Sequence, residues 1–264
     1  MLYKKSYVYT AKPVDANGIA AYTDEDNSVW GTLYARQLPI VQGRGCDEYL
    51  NGLKLLNLPS DRVPQCPDVS AVLKAATGWT LEPVPALIPY DHFFHLLANR
   101  KFPAATFIRT REELDYLQEP DIFHEVFGHC PLLTNQAYAD FTQTYGKLGL
   151  KANEEDRIML ARLFWFTVEF GLIQTKAGLR TYGGGILSSK SETIYCVESD
   201  IPERKPFDVI EALRTPYRID IMQPVYFVID SFDTLFHLAE MDLMEMIRRA
   251  RELGMREPMF EPEQ

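Results

Sequence analysis

Positive charge is in short supply. Against 37 Asp and Glu the chain sets 27 Lys and Arg, a net charge of −10 and a pI of about 5.1. No basic run is long enough to track phosphates, which argues against a nucleic-acid partner. No apolar run approaches membrane-spanning length; the greasiest segment, "MLARLFWFTVEFGLI", holds Arg162 and Glu169 in its middle. The opening "MLYKKSYVYTAKP" has no seven-residue apolar core, so it does not read as a secretory signal, and the chain reads as cytoplasmic. Only four cysteines occur (46, 66, 130, 196), none in a C-x-x-C pair, and they read as reduced, mostly buried thiols. Cys130 adjoins His129 and invites a ligand or nucleophile role, but a small core residue is the plainer reading. Repeats and low-complexity stretches are absent. What the chain does have is length and apolar content: 264 residues at 46% hydrophobic suffice for one large domain with a full core.

Histidine is scarce too, with five in all, yet two stand close together in "PDIFHEVFGHCP". His124 and His129 are five apart, whereas the zinc-protease pattern His-Glu-x-x-His spaces its histidines by four. At about 100° per residue, five steps turn the second ring about 140° away from the first on a continuous α-helix. For the rings to share a metal, the helix has to stop between them. Gly128 and Pro131 favour such a stop, for a helix opening near Pro120 and Asp121. Spacing alone leaves a metal pair and two ordinary histidines as equal readings.

Glu169 adds a third group. It is stranded in a segment, 154–175, that reads as a core helix apolar on nearly every face. An unpartnered buried carboxylate is costly, and Arg162, seven residues away, is roughly 10.5 Å along the axis. A cation from elsewhere in the chain would answer the charge. A divalent metal would answer it too and explain the histidines. Two imidazoles and a carboxylate form the facial triad of non-haem Fe(II) oxygenases, with zinc as competitor.

Elsewhere, short helices are expected at about 46–57 and 68–77, a strand at 104–109, and longer helices at 135–150 and 154–175. The first forty-five residues look irregular apart from "TDEDNSVWGTLYARQ". Ser189 to Glu192 fits a capping box, 218–230 reads as strands, and 231–253 as a final amphipathic helix. Gly183 to Gly185 match neither phosphate-loop pattern and read as a close-approach turn beside a ligand. The fold class is mostly α with a few short strands.

"EPDIFHEVFGHCPLL", "FWFTVEFGL" and "YGGGILSS", in this order and spacing, resemble the aromatic amino acid hydroxylases, the compact bacterial phenylalanine hydroxylases above all. Weaker agreement through "VWGTLYARQ", "RVPQCPDVS", "TGWTLEPVPALIP", "RKFPAATFIR" and "MQPVYFVIDSF" extends the likeness to roughly residues 28 to 235. The resemblance implies a single, mostly helical catalytic domain over 1–264 that uses Fe(II), tetrahydropterin and O₂ to hydroxylate an aromatic amino acid. It implies His124, His129 and Glu169 as iron ligands and Glu125 as the catalytic carboxylate beside the pterin. Phe93 would stack on the pterin, with Ile88 and Ala161 as backbone contacts. Arg109, oriented by Asp121, would take the substrate carboxylate, and Trp165, Gly185 and Ser188 would complete the pocket. Phe164 departs from the tyrosine many relatives carry. Trp165 and the apolar Ile219 point to phenylalanine over tryptophan or tyrosine. Only small-molecule partners are implied. The tail "GMREPMFEPEQ" lacks coiled-coil heptads, so a monomer or small homo-oligomer without regulatory domain is expected. The rival expectations are a zinc hydrolase with Glu125 as general base, and a non-enzymatic binder in which Glu169 merely pairs with a cation.

Overall fold

Thr23 opens the first helix with a reciprocal cap. Its hydroxyl accepts from the Asp26 N–H at 3.1 Å, and the Asp26 carboxylate accepts from the Thr23 N–H at 2.7 Å. The computed structural model describes residues 9–117 and 119–261; expectations for the first eight residues and the last three lie outside these. Helix α1 (Asp24–Val41) runs well past the expected patch and continues through Pro39. Helices α2 (Asp47–Leu56) and α3 (Cys66–Thr77) stand close to where they were expected, ending on left-handed Asn57 and Gly78.

Strand β1 (Thr80–Val84) and β2 (Lys101–Ala105) pair in parallel, with α4 (Tyr90–Ala98) between them in the chain. The strand expected at 104–109 therefore sits earlier. Beyond Thr106 the backbone finds other partners: Ile122 N–H donates to the Phe107 carbonyl at 2.9 Å, and Arg109 N–H to the Asp121 carboxylate at 3.0 Å. A π-helical turn, His124–His129, leads into α5 (Cys130–Leu133), followed by α6 (Gln136–Lys151) and α7 (Glu154–Phe164). A second π turn, Trp165–Glu169, follows α7 and ends the helical run six residues before the expected 175. There the chain becomes strand, because Leu172 and Ile173 join a sheet.

The remaining elements are β3 (Leu172–Thr175), β4 (Gly178–Thr181), α8 (Gly184–Leu187), α9 (Lys190–Glu198), β5 (Glu203–Pro206), α10 (Val209–Arg214), β6 (Val225–Ile229), α11 (Phe232–Glu240) and α12 (Leu243–Leu253). The sheet order is β4-β3-β6-β5, with an antiparallel β3–β4 hairpin and parallel pairing elsewhere. Only 225–229 of the expected strand region 218–230 is strand. The expected final helix is two helices, broken at Met241 and restarted by Asp242, whose carboxylate caps Glu245 N–H at 3.1 Å. Helix α6 packs against α4 and α11, and α2 against α5, around one apolar core that includes Trp30, Phe123, Phe127 and Leu163. All four cysteines are buried. Among the described residues no helix is long and apolar enough to cross a membrane. The mostly α expectation holds.

Candidate active site

The helix carrying His124 and His129 does not stop between them. It widens. Through 124–129 the ladder runs from residue i to i+5, closing with Cys130 N–H on the Glu125 carbonyl. One extra residue is thereby absorbed in the turn, and a spacing of five does what four does on an α-helix. Two sequence features make the wide turn tolerable. Asp121 caps the start, accepting from His124 N–H at 2.9 Å. Pro131 cannot donate to the Phe127 carbonyl, and the Tyr49 hydroxyl takes that acceptor instead, at 2.9 Å.

The two Nε2 atoms stand 3.0 Å apart. Glu169, at the end of the second π turn, brings Oε1 to 3.3 Å from His129 Nε2 and Oε2 to 3.7 Å from His124 Nε2. One ligand atom from each residue can be chosen so that all lie within 4.8 Å of one another. The Ser188 hydroxyl donates to the Gly184 carbonyl at 2.9 Å, so it accepts from His124 Nδ1–H at 3.0 Å. That tautomer leaves the His124 Nε2 lone pair facing His129 and Glu169. Burial pushes the His124 pKa down to about 4, which keeps the ring neutral. Burial alone would raise Glu169, but the flanking histidine rings outweigh it and hold the carboxyl below its ordinary value. Converging imidazole lone pairs and an ionised carboxylate make a donor set that fits a divalent cation such as Fe(II).

The glycine-rich segment makes the expected close approach, but it opens helix α8, with Gly183 as its N-cap and Gly184 and Gly185 as its first residues. A Cβ on Gly184 would lie 2.3 Å from the His129 ring, and one on Gly183 would lie 2.2 Å from the Glu169 carbonyl oxygen. Buried Gln37 of α1 fixes the end of α8 by donating to the Leu187 carbonyl at 2.8 Å.

One cavity of about 520 Å³ opens onto His124 and Glu169, lined also by Ile88, Phe93, Arg109, Glu125, Ala161, Phe164, Trp165, Gly185 and Ser188 among others. Asp121 lies behind Arg109, gripping its Nε and Nη2 at 2.8 and 2.9 Å. Asp121 does not engage the opposite guanidinium edge, Nη1 with the second Nη2 hydrogen, and Arg109 itself lines the cavity. Phe93 meets Phe164 edge-on, centroids 5.4 Å apart. Burial, followed by the charges of Glu169 and Asp121, pushes the Glu125 carboxyl well above its ordinary value; a bound cation would pull it the other way. Trp165 is stacked on Phe170 and Tyr217, centroids 4.3 and 4.5 Å away.

A family model described as biopterin-dependent aromatic amino acid hydroxylase matches residues 7–250. The chain belongs to the aromatic amino acid hydroxylase family. Phenylalanine-4-hydroxylase of Pseudomonas aeruginosa is 56% identical over 98% of this chain and 99% of that relative. The cold-active phenylalanine hydroxylase of Colwellia psychrerythraea superposes with a TM-score of 0.93 at 53% identity, over 95% of this chain and 97% of that one. The Chromobacterium violaceum phenylalanine hydroxylase with bound Fe(III) gives 0.87 at 49% identity, over 92% and 91%.

Within this hydroxylase, sequence reasoning passed over Phe170 and Tyr217 beside Trp165, and Gln223 and Glu192 behind it. The aromatic pair could have been suspected from its position next to Trp165 and the strand region. Glu192 was misread as the returning half of a capping box. Its N–H does donate to Ser189 Oγ at 3.3 Å, but its carboxyl turns inward to Tyr226 and the Gln223 N–H. Ile219 lines the cavity but is 40% exposed, because it stands in the loop before β6. Water can therefore reach a polar group beside it, so Ile219 does not by itself exclude a tyrosine hydroxyl.

Proposed function

We propose that this chain converts L-phenylalanine to L-tyrosine with O₂ and a tetrahydropterin, with Fe(II) held by His124, His129 and Glu169. The observation that carries this reading is the cluster of His124, His129 and Glu169 beside a cavity lined by the first and last of these, by Arg109 and by aromatic walls. Relatives at 56% and 53% identity are phenylalanine-4-hydroxylases. When bound, the pterin supplies two electrons and the iron a site to activate O₂.

The remaining chemistry belongs to side chains. Phe93 offers its face to the flat pterin ring, and the Ile88 and Ala161 backbones hold its edge. Glu125 accepts or returns a proton beside the pterin. Arg109, kept in place by Asp121, takes the substrate carboxylate through its Nη1 and Nη2 edge. Trp165 walls the substrate ring, Gly185 gives room beside Glu169, and Ser188 keeps His124 in its ligating tautomer. Phe164 supplies apolar surface where a tyrosine would add a hydroxyl. All of this lies in one catalytic domain. Substrates are small molecules, and the net charge of −10 favours a monomer or small homo-oligomer by self-repulsion. Four buried thiols suit the reducing cytoplasm.

The test is anaerobic reconstitution with Fe(II), then phenylalanine, tetrahydropterin and O₂, with tyrosine as the product sought. Competition among phenylalanine, tyrosine and tryptophan at equal concentration fixes the substrate. Dominant hydroxytryptophan or dopa would overturn the choice of phenylalanine. Tight zinc and amide hydrolysis would overturn the reaction class.

A further inference from the structure

One polar side chain stands behind the cavity wall with no part in the reading above. Gln223 is only 1% exposed, in the loop just before β6. Its carboxamide is fully engaged. Oε1 accepts from the Trp165 indole Nε1–H at 3.1 Å, and Nε2 donates to the Arg218 and Ile221 carbonyls at 2.8 and 3.0 Å. Reversing the amide would set its NH₂ against the indole N–H and its oxygen against two carbonyls, so the donor and acceptor assignment is fixed by its partners. The Gln223 backbone N–H donates to buried Glu192 at 3.1 Å, and the same Glu192 oxygen accepts from the buried Tyr226 hydroxyl.

Trp165 needs such an anchor. Stacking between Phe170 and Tyr217, at interplanar angles of 29° and 19°, fixes the plane of the indole. Stacked rings still slide and turn within their plane, because the contact is broad and weakly directional. A hydrogen bond to one edge removes that freedom. Trp165 also begins the π turn that ends in Glu169, so a shift of the indole would move a wall set close to the proposed metal ligands. Through its other two bonds, Gln223 ties the indole to the segment that carries Tyr217, Ile219 and Ile221 along the cavity.

We infer that Gln223 is a positioning residue for amino-acid specificity: it acts through Trp165, locking the indole as a fixed wall against which the substrate ring is seated. This rests on the proposed reading of the cavity as a phenylalanine site. Gln223→Met keeps the volume and removes all three side-chain bonds, and Gln223→Asn keeps an amide but withdraws it from the indole. In the iron-loaded enzyme each should raise the KM for phenylalanine about tenfold, the usual weight of a buried polar contact in recognition. The preference for phenylalanine over tryptophan should relax by a similar factor, while kcat and the pterin KM change little.

Two further measurements separate positioning from bulk structure. Indole fluorescence, taken as wild type minus Trp165→Phe, should shift in the Gln223 variants. In a Trp165→Phe background, Gln223→Met should have no further effect on selectivity, because its partner is gone. An equal loss of selectivity in both backgrounds would overturn the inference. So would a lowered Tm with selectivity unchanged in both Gln223 variants. A wild type that makes no tyrosine would overturn the proposed function itself, whereas a selective wild type with indifferent Gln223 variants overturns this inference alone.

Discussion

Asp121 grips Arg109 by its Nε and Nη2 edge and, with the same carboxylate, caps the helix that carries His124. An amide in its place has one acceptor oxygen and would turn its NH₂ toward a guanidinium. Breaking a buried pair typically costs about 3–5 kcal/mol. Asp121→Asn should therefore lower the urea midpoint markedly and raise the KM for phenylalanine more than that for pterin. An unchanged midpoint would show that the pair carries no net stability.

The same carboxyl gives an acid-side signature. Burial alone would raise its pKa, but the Arg109 charge and hydrogen bonds outweigh burial and hold it below the ordinary carboxylate value. A group depressed in the folded state stabilises the fold fully above its unfolded pKa of about 4, and that share is lost as pH falls through the folded value. Between neutral pH and roughly pH 3, wild type should lose more stability than Asp121→Asn. Parallel curves for the two proteins would contradict this.

Arg109→Lys keeps a charge but not a planar fork. The loss of a charge-assisted bidentate contact, about 1.5–3 kcal/mol, corresponds to a ten- to hundredfold higher KM for phenylalanine. Steady-state kinetics with each substrate varied in turn should show a much smaller change for pterin. Equal changes would make Arg109 a structural residue.

At the triad, His129→Ala should abolish tyrosine formation and weaken iron retention in equilibrium dialysis. Gly184→Ala makes a subtler version of the same damage, since its methyl would lie 2.3 Å from the His129 ring. Displacing a ligand this way should weaken iron binding by about ten- to hundredfold. Wild-type retention in both variants would remove the triad from consideration.

Phe93→Ala should raise the pterin KM with little change for phenylalanine. Phe93 also packs on Phe94, centroids 5.6 Å apart, so some thermal stability will go with it. A lowered Tm with unchanged pterin KM would mark it as core alone.

The chemistry of the site was more legible than its geometry. Residue types at 124, 129 and 169 announced a donor set, and the motifs around them announced a family. Helix type was not legible. A rule of 100° per residue assumes α geometry, so it demanded a break where the backbone widens instead, with Tyr49 covering the carbonyl that Pro131 leaves free. Glu203–Pro206 was missed for a different reason. Its "ERKP" has no apolar alternation, and it is a strand only because β6 offers a parallel edge. Tyr90–Ala98 hid behind the prolines that precede it and is only nine residues long. The hydrogen bond from Trp165 to Gln223 spans 58 positions, a pairing that local pattern cannot express.

The triad draws on two distant stretches of chain: a helix after Asp121 and the π turn that follows α7. A cation seated between them would act as a reversible cross-link, forming and dissolving with metal supply. Anything that binds only the folded state raises its stability, by about 2.7 kcal/mol at a hundredfold excess over Kd. Melting in the presence of Fe(II), under argon, should therefore occur at higher temperature than after chelation, and Glu169→Gln should abolish most of the gap. A half-loaded sample should melt as two populations. For this enzyme, thermal lifetime becomes a readout of iron supply as much as of sequence.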